Sequence, residues 1–102
     1  MNMPTDPYAK RLLWFIFMGS KGGLNRIRFI SHIRNKPLNA NQLAKEMNLD
    51  YKAIQHHVGV LEKNNLITRV GDKYGATFFI STFLEVNLDV FDEIVSKLEK
   101  ST

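Results

Sequence analysis

The chain contains no cysteine. Disulfides, thiolate zinc sites, iron–sulfur clusters and cysteine nucleophiles are therefore excluded together, and a reducing, cytoplasmic setting is expected. Long apolar runs are missing as well. The longest, Leu12 to Met18, spans seven residues, against about 20 for a membrane-spanning helix. No small-residue cleavage pattern of a signal peptide follows it, so no membrane partner is expected. Catalytic signatures are absent: there is no HExxH, no GxSxG and no carboxylate pair in an apolar setting. The sequence points to no catalytic residue, no cofactor and no metal, and an enzyme is not expected. Gly19-Ser20-Lys21-Gly22-Gly23 lacks the GxxxxGK[ST] spacing of a phosphate loop and reads as a helix stop and turn.

What remains is a single small domain of 102 residues with 44% hydrophobic and 24% charged residues, an ordinary globular composition. Its net charge of +4 is unevenly placed: residues 1–20 carry +1, residues 21–75 carry +6 and residues 76–102 carry −3. A basic middle suits a polyanionic partner.

Periodicity and punctuation give the element order. An apolar helix is expected from Pro7 to Met18. A second, from about Leu24 to Asn35, turns Leu24, Ile27, Ile30, Ser31 and Ile33 inward, with Phe29 at its flank and Arg26, Arg28 and Arg34 largely off that face. Leu38 is a strand of one or two residues. Asn39 and Gln42 form a capping-box variant before a short helix over 40–47. Asn48 suits the left-handed helix stop, and Asp50 caps a helix over 51–64 whose inward stripe is Ile54, Val58 and Leu61. Leu66–Val70 and Lys73–Ser81 form a hairpin around Gly71-Asp72. A last helix is expected over roughly Asn87 to Lys100, with Thr82 and Glu85 as a second candidate capping box that would start it four or five residues earlier.

A short helix, a tight turn, a longer helix and a hairpin make a helix-turn-helix with a wing. The expected fold is mainly α with a small β-hairpin wing, dimerising through the N- and C-terminal helices. Residues 1–20 would be an N-terminal dimerisation helix, 21–82 the winged helix-turn-helix and 83–102 a C-terminal dimerisation helix, all in one structural domain.

The segment from Leu43 to Ile67 resembles the core of ArsR-type winged-helix transcriptional regulators, in particular an archaeal subgroup with a DYKT-x-x-HHL-x-VL-x-x-N-x-L run. This chain reads Asp50-Tyr51-Lys52-Ala53-Ile54-Gln55-His56-His57-Val58, departing at Ala53, where Thr is usual, and at Val58, where Leu is usual. Lys21 to Arg26, Tyr74-Gly75 and Phe79-Ile80-Ser81 resemble that subgroup too, and the match spans roughly residues 12–84. The resemblance implies a DNA-binding dimer whose first and last helices make the dimer contact. The cysteine pair that metal-sensing members carry on the short helix is missing here.

With Ile54, Val58 and Leu61 inward, the opposite face of that helix carries Tyr51, Lys52, Gln55, His56 and Gly59. Gln55 can pair with adenine N6/N7, and Lys52 can reach guanine O6/N7 or a phosphate. Tyr51 and His56 can donate to phosphates, while Gly59 permits close approach of the backbone. Arg69 and Lys73 on the wing are the favoured phosphate contacts. His56 and His57 project about 100° apart and do not chelate one ion together; His57 is expected to flank the core. Leu12, Trp14, Phe15, Phe91, Ile94, Val95 and Leu98 are the expected dimer interface. The resulting function is sequence-specific recognition of double-stranded DNA by a homodimeric regulator. The alternatives are a protein-interaction winged helix and a non-specific architectural DNA binder.

Overall fold

The computed structural model describes residues 6–72 and 75–100. Helix α1 (Pro7–Trp14) starts with proline at its first position, and the Asp6 carboxylate accepts from Tyr8 N at 3.0 Å. The expected single helix to Met18 does not stay α-helical. Phe15–Gly19 widens into a π-helical stretch, in which backbone bonds reach one residue further than in an α-helix. Gly22, at φ 88°, turns the chain into α2 (Gly23–Asn35).

Helix α2 is rotated from its expected setting. Arg26, Ile27, Phe29, Ile30 and Ile33 are buried, whereas Leu24 is 59% exposed and Ser31 is exposed. At about 100° per residue, Leu24 and Ser31 share the side opposite the buried arc. The helix therefore turns Arg26 and Phe29 inward, and the apolar count alone misplaced it.

Strand β1 (Leu38–Asn39), helix α3 (Ala40–Met47) and helix α4 (Tyr51–Lys63) follow close to expectation. The wing is β2 (Ile67–Val70) and β3 (Thr77–Ile80), antiparallel and in register from Ile67 opposite Ile80 to Val70 opposite Thr77. β1 pairs with the other edge of β3, giving the order β1-β3-β2. The two-residue side-chain alternation puts Ile67, Arg69, Phe78 and Ile80 on one face, and Ile67 and Phe78 are buried there.

The chain then makes a short helix α5 (Thr82–Glu85) that was not foreseen as a separate element. Its cap is Ser81, whose hydroxyl accepts from Leu84 N at 3.0 Å and donates to Asn65 O at 2.7 Å. Helix α6 (Leu88–Lys100) returns across α1, with Lys10 Nζ 3.7 Å from Glu93. Phe17 and Phe91 meet edge-on at 5.1 Å between ring centroids. Phe91 and Ile94 are 1% and 0% exposed. These two residues fill the chain's own core and are corrected from the expected dimer interface. Leu12, Trp14, Val95 and Leu98 are partly buried against that core, and Phe15 is 59% exposed. Among the described residues no helix is long and apolar enough to cross a membrane.

Candidate nucleic-acid interface

Three local devices aim α4. Asn39 and Gln42 close a full capping box at the start of α3, with bonds of 2.8 and 2.9 Å. Asn48 takes the left-handed conformation at φ 54°, and Leu49 N donates to Ala44 O at 3.0 Å, so α3 stops abruptly. The Asp50 carboxylate then accepts from Ala53 N at 2.7 Å and starts α4. Arg28 reinforces the corner by donating to Met47 O at 3.1 Å and Asn25 Oδ1 at 3.0 Å.

Helix α4 is anchored by one face and open on the other. Ile54, His57, Val58 and Leu61 are buried. Tyr51, Lys52, Gln55, His56 and Gly59 are exposed together on the opposite side. Among the described residues, Lys52 and Gln55 have no hydrogen-bond or ion-pair partner. The His56 ring lies edge-on to His57, 5.5 Å between centroids. Among the described residues a Cβ at Gly59 would meet no atom within 4 Å, so the helix backbone is bare there.

The expected cationic surroundings are thinner than the sequence implied. Arg69 is bound to Glu62 through two hydrogen bonds of 2.7 and 2.8 Å and lies 5.5 Å over the Phe78 ring. The hydrogen bond from Arg69 holds the Glu62 carboxyl below its ordinary pKa, and the same bond raises that of Arg69. Arg34 pairs with Asp92 at 2.8 Å. Lys73 lies outside the described residues. Lys21, Lys45, Lys52 and Lys63 are exposed without an ion pair among the described residues.

Arg26, expected to lie off the buried face of its helix and to add to the positive potential around α4, is corrected by the structure. It is 2% exposed. Its Nε donates to Ile16 O at 3.2 Å, and its Nη2 donates to Ser20 Oγ at 2.6 Å and Lys21 O at 3.1 Å. Its Nη1 lies 3.5 Å from His57 Nδ1. Arginine only donates, so that contact assigns Nδ1 as the acceptor and the imidazole proton to Nε2. The network joins the π-helical stretch, the following loop, α2 and the buried side of α4. Its only sequence signal was an arginine three residues before Phe29, on what proved to be the inward arc.

Burial, then the charges of Arg26 and His56, hold the His57 pKa below its ordinary value. In the unfolded chain the imidazole titrates near 6.5. Just below that pH the unfolded chain binds more protons than the folded one, so acid favours unfolding. The contribution of His57 is complete above about pH 6.5 and is lost as pH falls through the lowered folded value. Urea midpoints measured downward from about pH 7.5 should fall through this window in the native chain and fall less in His57→Gln. Parallel profiles would show that His57 does not carry the effect.

Among the described residues no group of three or more His, Asp or Glu side chains could hold a metal ion. No family model and no curated protein matches the chain. Solved structures do share its fold. Reduced HlyU from Vibrio cholerae aligns with a TM-score of 0.65 and 18% identity over 89% of this chain and 90% of that one. The transcriptional regulator HlyU from Vibrio vulnificus aligns at 0.64 and 18% over 89% and 88%. MepR, a transcription regulator of the Staphylococcus aureus multidrug efflux pump MepA, aligns at 0.55 and 17% over 93% and 76%. The fold is thus mainly helical with a small three-stranded sheet, the winged-helix arrangement of these regulators.

Proposed function

We propose that the chain is a homodimeric, ArsR-like transcriptional regulator that binds double-stranded DNA sequence-specifically, with α4 in the major groove and the wing on the backbone or minor groove. The observation that carries this reading is the exposed face of α4. Lys52, Gln55 and His56 stand on it beside a bare Gly59, and the helix behind them is fixed by a buried stripe and an aspartate cap. Gln55 and Lys52 read base edges, and Tyr51 and His56 contact phosphates. No enzymatic activity is part of the proposal.

The dimer would use the outward surface of α1 and the exposed edges of α6: Leu12, Trp14, Phe15, Val95 and Leu98, joined by Tyr8, which is 62% exposed. Full burial of each large apolar side chain contributes roughly 1.5–3 kcal/mol before association costs. Twofold-related recognition helices would then meet half-sites about 34–36 Å apart.

Fluorescence-anisotropy titration of genomic fragments and random duplexes at two salt concentrations tests the reading. Binding should weaken with salt, by a log–log slope of about −0.9 per phosphate contact, and should prefer particular fragments. Absent or salt-insensitive binding overturns it, and equal affinity for all duplexes reduces it to non-specific coating. Glu62→Gln releases Arg69 from its pairing, so affinity should rise and the salt slope should steepen by about 1. An unchanged slope would confine Arg69 to bracing the wing.

A further inference from the structure

Between the first helix and α4 lies an open recess of about 410 Å³, within the size range of small-molecule sites. Its apolar wall includes Leu12, Phe15 and Ile16 from the first helical segment and Val60 from α4; Lys21, Arg26, His56 and Lys63 supply basic groups, and among the described residues no carboxylate lines it. We infer that this recess binds a small organic anion with an apolar body, a carboxylate or sulfonate held by its charged head among these basic groups.

The argument starts from Arg26. A buried charge is ordinarily met by an opposite one. The Arg26 guanidinium is met by two carbonyls, a hydroxyl and a neutral imidazole nitrogen, with no carboxylate contact among the described residues. Among the described residues its Nη1 has only the 3.5 Å contact with His57 to occupy two N–H groups. Lys21 and Lys63 add positive charge, and neither has an ion pair among the described residues. A concave surface of one sign with low-dielectric walls concentrates that potential. An anionic head held by the exposed Lys21 and Lys63 supplies the missing counter-charge through its field, since Arg26 itself is 2% exposed.

The walls set the rest of the ligand. Phosphate would use the basic groups and leave the apolar wall wet, whereas a neutral hydrocarbon would do the reverse. Phe15, 59% exposed in the single chain, offers a ring face to an apolar body, and because Leu12 and Phe15 also belong to the proposed dimer surface, ligand and partner chain compete for them. A second, smaller recess of about 260 Å³ shares Leu12, Lys63 and Asn64 with the first and runs on towards Tyr8 and Phe83. The groove can thus accept a body longer than one ring. On α4 the recess shares His56 with the proposed DNA-facing surface, whereas Val60, Lys63 and Asn64 lie on the stripe beside Lys52, Gln55 and Gly59.

The test needs only the protein and defined probes. The full chain is titrated with 8-anilino-1-naphthalenesulfonate, and the bound dye is challenged with octanoate, benzoate, octanol and inorganic phosphate. Displacement by octanoate or benzoate, with octanol and phosphate at least about tenfold weaker, is the expected result. Lys21→Gln with Lys63→Gln should weaken octanoate by roughly tenfold or more, as loss of charge-assisted contacts requires. Lys97→Gln, which removes one charge on α6 away from the recess, should leave it within about twofold. Circular dichroism and a cooperative melt confirm that each variant is folded. Equal displacement by octanol shows an apolar groove only, and equal displacement by phosphate a bare anion site only. No displacement, including at protein concentrations low enough to dissociate a dimer, means that the recess takes no such ligand. Each of these three results overturns the inference, as does an equal effect of Lys97→Gln.

Discussion

Gly23→Ala is expected to lower the melting temperature by on the order of 10 °C. Gly23 opens α2 directly against the π-helical stretch. An ideal Cβ there would lie 2.4 Å from Phe17 O and 2.7 Å from Phe17 C, both backbone atoms. Two effects compete. Alanine is the better helix former by roughly 0.5–1 kcal/mol. Against it, a methyl group driven into backbone must push the first helix and α2 apart, and overpacking of this kind costs about 1–3 kcal/mol, occasionally more. Phe17 is anchored on Phe91 and 1% exposed, so its backbone has little room to retreat. Steric cost wins by roughly 2 kcal/mol, which in a domain this small moves the transition by about 4–8 °C per kcal/mol. Gly59→Ala is the control of opposite sign. Among the described residues nothing lies within 4 Å of its added methyl, so helix propensity acts alone and the melt should rise slightly. A Gly23→Ala chain that melts at or above the native temperature would refute the close packing at Phe17.

The second large effect concerns discrimination between DNA sequences. Lys52→Ala combined with Gln55→Ala should cut the ratio of specific to random-duplex affinity by about a hundredfold or more, taking 1–3 kcal/mol for each lost base contact and near-additivity. Both side chains are exposed and make no hydrogen bond or ion pair among the described residues. Thermal stability should therefore stay within about 0.5 kcal/mol of the native chain, the usual range for surface positions. Anisotropy on a preferred fragment and on random duplex, at one salt concentration, gives the ratio directly. A uniform loss on both duplexes would mean that α4 rests on phosphates and reads no bases.

Much of the architecture was legible because its signals are local. Asn39, Gln42, Asn48 and Asp50 are read from two to four neighbouring residues, and each forms the cap or stop that its chemistry suggests. The Ile54–Val58–Leu61 stripe likewise fixes which side of α4 is turned inward. The errors arose where distant contacts overrule local pattern. Leu24 continues an apolar periodicity yet stays exposed, because α2 rotates to bring Arg26 under the first helix. Phe91 and Ile94 lie on a stripe that reads equally well as an inter-chain seam, and Phe17 takes part of it within the chain. Arg69 looked like a free wing cation, but the register of the hairpin and α4 delivers it to Glu62. No run of neighbouring residues encodes these pairings.

The π-helical stretch has a consequence for how this chain can vary. The Ile16 carbonyl accepts from both Ser20 Oγ and Arg26 Nε, each at 3.2 Å, and Gly23 abuts Phe17. These contacts depend on how many residues separate Trp14 from Gly23 more than on which residues fill the outer positions. Changes of identity at Met18 or Lys21, both exposed, should be absorbed. Insertion or deletion of a single codon in this interval would shift every downstream partner by one step and strand Arg26 without its acceptors.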